Sequence, residues 1–179
     1  MPHGRPVQPS GDRSVPPDVT LERFTPIGRS LGITRLADVT GLDIVGLPVF
    51  LAIRPTARSL VTSIGKGITR PAAKAGALME SIETWHAEHV ALATWHATAD
   101  EILAAGETAL DVRSLPAAID GTVHRSQVRS WLPGRDLRRG EAVWVPEEIV
   151  SLNFVADAMP EPSLARNSNG LASGNDLTE

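Results

Sequence analysis

Two glutamates in the middle of the longest helical pattern carry the strongest chemical signal in this sequence. Glu80 and Glu83 are three positions apart, so on an α-helix their side chains lie within one turn of each other. Two such carboxylates can converge on a divalent cation, and Mg²⁺ favours one or two carboxylates together with phosphate oxygens and water. The same spacing fits a pair of solvated surface glutamates, so spacing alone leaves both interpretations open.

The helix that carries these glutamates is predicted over residues 71 to about 91, with Pro71 in its first turn. At about 100° per residue, the apolar stripe that should face the core holds Ala75, Leu78, Met79, Ile82, His86 and His89. The side that should face water holds Lys74, Ser81, Thr84 and Glu88. Glu80 and Glu83 fall on a flank between the two with Ala73, Gly76 and Ala87. These small neighbours leave room for a ligand to approach the helix.

A lysine between two glycines stands just before this helix. Backbone N–H groups and the Lys66 ammonium, delivered by a flexible Ser63–Gly67 loop to a helix N-terminus, could bind an anion. The segment is not a P-loop, because position 60 is Leu instead of Gly and position 67 is Gly instead of Ser or Thr. A simple glycine-rich turn is the alternative.

Other kinds of active site find less support. Glu83-x-x-His86 matches a pattern of di-iron helical bundles, but that architecture needs several long helices and this chain offers one. Packed core histidines are the alternative for His86 and His89 on the predicted apolar stripe. With no cysteine and no Gly-x-Ser-x-Gly segment, a thiol nucleophile and a nucleophile elbow are excluded.

Composition narrows the class of protein. The 179 residues suit one domain, and no apolar run approaches the roughly 18 residues of a membrane span. A net charge of -4 argues against a nucleic-acid partner, which requires a basic face. The absence of cysteine fits a reducing cytosol, and we expect a cytoplasmic protein.

The remaining pattern predicts an α+β fold with mixed or antiparallel sheets. A Pro-rich tail over residues 1–30 is expected to be disordered. Strands are predicted at residues 48–54 and 60–62 as an antiparallel hairpin, then at 127–132 and 142–145, with a turn at Pro133-Gly134. A shorter helix is predicted at 97–105, and a short helical piece or turn after Pro146.

Three segments taken together resemble the YcaO family over roughly residues 31–179. They are Ser63-Ile-Gly-Lys-Gly67, the following helix with Glu80-x-x-Glu83, and Asn167-Ser-Asn-Gly170 continuing through Gly174-Asn175 to Glu179. The stretch from Ile33 to Val49 is similar to the branch of that family associated with TfuA-type partners.

The resemblance implies a fold that binds ATP and Mg²⁺ without a P-loop and activates a peptide backbone amide carbonyl, giving an azoline or, in the TfuA-linked branch, a thioamide. It assigns nucleotide binding to Ser63, Lys66, Glu80, Glu83, Asn175 and Glu179. Glu80, Glu83 and Glu179 would be the metal ligands, and no catalytic residue is assigned. The implied partners are a precursor peptide and a TfuA-like protein. Neither nucleic acid nor membrane is expected, and a homodimer stays open.

Two departures from the family pattern shape the expectation for this chain. Thr84 stands where the family commonly has Arg, and the sequence stops at Glu179, where a second glutamate-bearing helix should begin. We therefore expect an N-terminal portion of a YcaO-type domain that is inactive or nearly so by itself. A non-catalytic module that docks a leader peptide or partner enzyme is the alternative.

Overall fold

The chain divides into two compact units, Met1–Trp85 with Leu171–Glu179, and His86–Gly170. The structure is a computed structural model and describes residues 13–119, 121–155 and 163–176. Each unit contains its own three-stranded sheet, and neighbouring strands in both sheets run antiparallel. Helices accompany both sheets, which confirms the predicted α+β class.

The first element differs from the sequence prediction, because Pro17–Ser30 form helix α1 where a disordered tail was expected. Proline is favoured in the first turn of a helix, so Pro17 helps to start α1 instead of preventing it. Leu21 and Phe24 pack against the core of the first unit and supply the burial that orders this segment. Residues 1–12 of the predicted tail lie outside the described residues.

The sheet of the first unit has the strand order β1 (Arg35–Asp38), β2 (Val49–Ile53) and β3 (Thr62–Lys66). The predicted strand at 48–54 and its antiparallel partner are confirmed, with Phe50 opposite Gly65. The predicted bounds of the partner, residues 60–62, were wrong. Strand β3 continues through Lys66, so most of the segment predicted as a flexible glycine-rich loop is extended and paired.

Helix α2, Arg70–Glu88, confirms the long helix predicted at residues 71–91. Its N-terminus is capped by Thr69, whose hydroxyl accepts the N–H of Ala72 at 3.3 Å. The core of the first unit joins α2 to the sheet and consists of Ile33, Phe50, Ala52, Ala73, Ala77, Leu78, Met79 and Ile82.

The predicted faces of α2 were partly wrong. His86, placed on the core stripe, is exposed, whereas Ser81 and Glu88, placed on the wet side, are buried. Near its C-terminal end the helix is covered by a later segment, since Leu152 donates its N–H to the carbonyl of Ala87 at 2.9 Å. A helix covered on several sides does not show one clean apolar stripe.

The second unit has the strand order β4 (Trp95–Ala97), β5 (Arg129–Asp136) and β6 (Glu141–Pro146). Its helix α3, Ala99–Ala104, begins with a capping box between Thr98 and Glu101. The predicted strands at 127–132 and 142–145 and helix at 97–105 are confirmed with shifted ends, and a 3-10 turn, Glu147–Ile149, follows Pro146. The core consists of Ala97, Ala99, Ile102, Val112 and Trp131.

The predicted turn at Pro133-Gly134 was wrong, because both residues lie inside β5. Pro133 is opposite Trp144, whose N–H points away from β5 to the carbonyl of Thr108. At such a non-hydrogen-bonded pair the missing proline N–H breaks no bond to β6. On the other side, β4 pairs only as far as Trp131.

A buried ion pair fastens three segments of the second unit together. Arg129 pairs with Glu148, and their side chains are only 4% and 11% exposed. The Glu148 carboxylate also accepts the N–H groups of Ser163 at 2.9 Å and Leu164 at 3.2 Å. The pair therefore joins the start of β5, the 3-10 turn and the segment that begins at residue 163.

Candidate nucleotide and metal site

The two predicted glutamates face a cleft in the first unit. It has a volume of about 410 Å³. The cleft is lined by Ile64, Gly65 and Lys66 from β3, by Gly76, Met79, Glu80 and Glu83 from α2, and by Arg13, Ala172 and Ser173. The structure thus brings Lys66, Glu80 and Glu83 together, and Gly76 is the one small residue of the predicted α2 flank that lines the cleft.

The free edge of β3 turns backbone groups toward this wall. Strand β3 is at the end of its sheet, and Gly67 donates its N–H to the carbonyl of Pro48 at 3.2 Å on the β2 side. Alternation along a strand then directs the backbone groups of Ile64 and Lys66 to the opposite edge. The Glu80 carboxylate accepts the N–H of Ile64 there.

The glycines of the Gly65-Lys66-Gly67 segment permit the close approach of β3 to α2. A Cβ on Gly65 would lie 1.9 Å from the carbonyl oxygen of Ala73 and 2.1 Å from the nitrogen of Ala77. A Cβ on Gly67 would lie 2.7 Å from the nitrogen of Ala73. Neither glycine has a positive φ, so space, and not backbone freedom, requires glycine at these positions.

Opposing influences act on the Glu80 carboxylate of the cleft. Glu80 is an exposed residue, but partial desolvation of its carboxyl group raises its pKa above the usual range, and the neighbouring Glu83 charge raises it further. The N–H of Ile64 and the charge of Lys66 act on the pKa of Glu80 in the opposite direction. A cation placed between Glu80 and Glu83 would relieve their repulsion.

The donor set of the cleft fits a hard cation that brings some of its own ligands. Within the described parts of the chain, no group of three His, Cys, Asp or Glu side chains could enclose a metal ion. Glu80 and Glu83 provide two carboxylates. Mg²⁺ is usually bound in this way, with phosphate oxygens and water completing the shell.

Comparison with known proteins identifies the family to which this cleft belongs. The family model described as YcaO cyclodehydratase, ATP- and Mg²⁺-binding, matches residues 64–179. The chain belongs to the YcaO family. The match begins within β3 and takes in Lys66, Glu80 and Glu83, so the lysine and both acids of the cleft are part of the YcaO region.

Several relatives span nearly all of this chain, while the chain spans less than half of each. An uncharacterised protein of Mycobacterium tuberculosis is 36% identical over 168 residues, 91% of this chain and 37% of the relative. A protein of Rhizobium leguminosarum bv. trifolii described as lying in the tfuA 3' region is 33% identical, over 94% of this chain and 39% of its own. A protein of Methanothermobacter thermautotrophicus is 36% identical, over 91% and 42%.

Solved structures show the same fold. The YcaO protein of Methanopyrus kandleri, described as bound with AMPPCP and Mg²⁺, matches with a TM-score of 0.65 and 27% identity over 92% of this chain and 39% of that one. A heterocyclase described as in complex with substrate and cofactor matches with a TM-score of 0.72 over 94% of this chain and 26% of that one. At 22% identity the second likeness concerns the fold alone.

The other site residues predicted from the YcaO resemblance are not brought to the cleft in the same way. Ser63 is buried and lies on the opposite side of β3 from the exposed Ile64. Asn175 is buried, its side-chain oxygen accepts the hydroxyl of Thr20 at 3.0 Å, and its carbonyl accepts Nη1 of Arg23 at 3.0 Å. Asn175 therefore anchors its segment to α1, while neighbouring Ala172 and Ser173 line the cleft. Glu179 lies outside the described residues.

Sequence reasoning missed one charged residue of the cleft. Arg13 lines it, and its Nη1 donates to the carbonyl of Ser173 at 3.4 Å. Arg13 stands 50 residues or more before the recognised motifs, within the predicted tail, and no local pattern marks it.

Among the residues that the structure describes, no helix is long and apolar enough to cross a membrane.

Proposed function

We propose that this chain carries the ATP- and Mg²⁺-binding site with which a YcaO protein activates the carbonyl of a peptide backbone amide. The observation that supports it most is the cleft in which Lys66, Glu80 and Glu83 meet the free edge of β3. The family description and the AMPPCP and Mg²⁺ named for the M. kandleri protein point to the same ligands.

In this proposal Glu80 and Glu83 hold Mg²⁺. They are the two acids that line the cleft, and two carboxylates are the usual protein share of a magnesium shell that includes phosphates. Binding the cation would also stabilise the ionised form of Glu80. This would counteract the desolvation and the Glu83 charge, which both raise the pKa of Glu80. Glu179 stays a predicted third metal ligand.

The cations and backbone groups of the cleft would bind phosphate oxygens. The Lys66 ammonium supplies a point charge. The backbone N–H of Lys66 points to the same edge of β3 as the backbone N–H of Ile64. Arg13 adds a guanidinium suited to bidentate phosphate contacts. Bound ATP would supply the phosphoryl group that turns the amide oxygen into a leaving group. Positioning and charge neutralisation are what the protein must contribute to such chemistry.

The finer parts of the proposal concern substrate, product and partners. A ribosomally made precursor peptide is the proposed substrate, as the resemblance to the YcaO family implies. The relative in the tfuA 3' region supports a TfuA-like partner and hence a thioamide product over an azoline. Ser63 and Asn175 are proposed to shape the nucleotide site from the buried positions they occupy. A cytoplasmic location completes the proposal.

Binding of ATP measured by isothermal titration calorimetry, with and without Mg²⁺, tests the site. We expect Glu80→Gln and Glu83→Gln each to weaken Mg²⁺-dependent ATP binding by about tenfold or more, as loss of a carboxylate ligand implies. Glu22→Gln, an exposed α1 residue outside the cleft, is the matched control and should bind like the wild type. ATP binding that ignores Mg²⁺ and both cleft substitutions would overturn the proposal.

A non-catalytic docking module is the second candidate, favoured by one observation. Thr84, which stands at the position of the family's Arg, donates its hydroxyl to the Glu80 carbonyl of its own helix at 2.8 Å and brings no positive charge. Peptide binding that is unchanged in Glu80→Gln/Glu83→Gln, in a protein that binds no nucleotide, would favour the module. Measurement of ATP turnover with peptide by the chain tests the expectation that it is inactive by itself.

A further inference from the structure

The tip of the β5–β6 hairpin carries a cluster of arginines in an acidic protein. Three arginines occur within residues 135–139, whereas the chain has a net charge of -4. Strands β5 and β6 pair up to Asp136 opposite Glu141, and the four residues between them are exposed. Leu137, between the arginines, is 92% exposed. We refer to Arg135, Leu137, Arg138 and Arg139 as the arginine tip.

The backbone of the arginine tip is held in one shape by Asp136. Its Oδ1 accepts the N–H of Arg138 at 2.8 Å and that of Arg139 at 3.3 Å. Gly140, with φ +74°, donates its N–H to the Asp136 carbonyl at 2.7 Å and closes the turn. Asp136, Arg138 and Arg139 line a recess of about 340 Å³. The arginines therefore project from an ordered turn, which lowers the entropy cost of using them to bind.

Among the described residues, the tip arginines form no ion pairs, in contrast to three other arginines of the surface. Arg70, Arg113 and Arg125 form ion pairs with nearby aspartates. In the described parts of the chain, none of the three tip arginines forms such a pair. Folding does not use these guanidinium groups or the leucine beside them, so they are available to a ligand.

We propose that the arginine tip is a docking surface for an acidic peptide segment that carries an apolar side chain between its carboxylates. Guanidinium groups form bidentate hydrogen bonds with carboxylates, and Leu137 offers an apolar contact between them. The inference goes beyond the proposed function and does not depend on the nucleotide cleft.

A peptide fits these features better than a nucleic acid or an anionic membrane. Long polyanions are bound by extended basic stripes, whereas this patch is confined to one turn and the rest of the chain repels them through its net negative charge. The exposed Leu137 has no counterpart on a phosphate backbone.

Fluorescence anisotropy tests the docking surface with a labelled pentapeptide of one leucine flanked by two glutamates on each side. We expect Arg138→Gln/Arg139→Gln to weaken binding about tenfold and Leu137→Ser to weaken it about threefold. Arg29→Gln/Arg35→Gln removes two exposed arginines elsewhere and changes the net charge equally, so it should bind like the wild type. Circular dichroism checks that every variant is folded.

Three results would overturn the docking proposal. The first is equal weakening by both double variants, which would mean a diffuse charge effect. The second is tighter, tip-dependent binding of homopolymeric RNA or of phosphatidylserine vesicles than of the peptide. The third is no binding of the peptide at low salt. Retention of peptide binding in Glu80→Gln/Glu83→Gln separates the tip from the proposed ATP site.

Discussion

Glu80 is the residue of the cleft whose contacts and pKa are best defined. Its carboxylate accepts a backbone N–H from the edge of β3 and lies near one positive and one negative side chain. Partial desolvation and the Glu83 charge nevertheless raise its pKa, so the two carboxylates repel each other when no cation lies between them. Such a perturbed acid in a cleft is typical of a functional site.

Replacement of Glu83 by Gln should lower the pKa of Glu80, because it removes one of the two causes that raise it. An NMR titration of the glutamate side-chain carbons measures this, and Glu22→Gln, outside the cleft, should leave the Glu80 midpoint unchanged. A Glu80 midpoint that does not move in Glu83→Gln would show that the two charges do not interact.

The raised pKa of Glu80 also gives stability a defined dependence on pH. A carboxyl whose folded-state pKa lies above the unfolded value contributes stability that is complete below about 4.5 and is lost as pH rises through the folded value. In Glu83→Gln the Glu80 contribution to this loss should be smaller. Urea unfolding at pH 4 and pH 7 gives the comparison.

The sequence was sufficient for the residues of the cleft that lie in one local pattern. Glu80 and Glu83 share a helix flank and Lys66 lies four residues before that helix, and the YcaO resemblance associated the three. Arg13 reaches the cleft from the far end of the chain, which is a tertiary relation. Ser63 lies in a segment that was predicted as a loop but forms part of a strand. Side chains alternate between the two faces of a strand, so the side on which Ser63 lies depends on which residues pair, and a shift of one residue would place it on the other face.

At the scale of elements, the close contact between β3 and α2 builds the cleft. Gly65 lets the strand approach the helix backbone, and its absent side chain would overlap atoms of Ala73 and Ala77. Because the contact is with helix backbone and not with a flexible side chain, it cannot be relieved by a rotamer change.

Gly65→Ala should therefore lower the free energy of unfolding by at least about 2 kcal/mol, since overpacking forces the two backbones apart. Gly41→Ala is the matched control, because a Cβ there meets nothing within 4 Å and φ is not positive; its effect should stay within about 0.5 kcal/mol. Urea denaturation followed by circular dichroism measures both. Equal midpoints for the two variants would contradict the close contact.

Proline misled the prediction of elements in two places for the same reason. Pro17 starts α1, and Pro133 occupies a β5 position where its N–H is not needed by β6. Whether a proline breaks an element depends on which hydrogen bond it would remove. Which hydrogen bond is removed depends on the helix cap or on the strand register, and neither can be deduced from composition. The long helix and the β2–β3 pairing were predictable because propensity and periodicity agreed there.

At the scale of the whole molecule, the described chain forms two units with separate cores. The second unit has a small aliphatic and aromatic core and depends on polar connections as well. Arg129, Glu148 and Ser163 form one such connection, in which Nη1 of Arg129 also donates to the Ser163 hydroxyl at 2.5 Å.

The Arg129–Glu148 ion pair is almost completely buried, so each charge is compensated by its partner and not by water. Glu148 neutralises Arg129 and also satisfies two backbone N–H groups of the segment that begins at residue 163. Nearby, the carbonyl of Ser163 accepts the N–H of Ala118 at 2.9 Å. Removal of the negative charge would leave a buried guanidinium without its counter-ion, which is costly inside a protein.

Glu148→Gln should destabilise the protein by about 3 to 5 kcal/mol, the usual cost of breaking a buried ion pair from one side. Hydrogen exchange should accelerate first at residues 116–118 and 163–165, which pair with each other next to Glu148. Glu141→Gln, an exposed glutamate of β6 in the same unit, should change stability by no more than about 0.5 kcal/mol. If both variants unfold at the same urea concentration, the Arg129–Glu148 pair does not hold the second unit together.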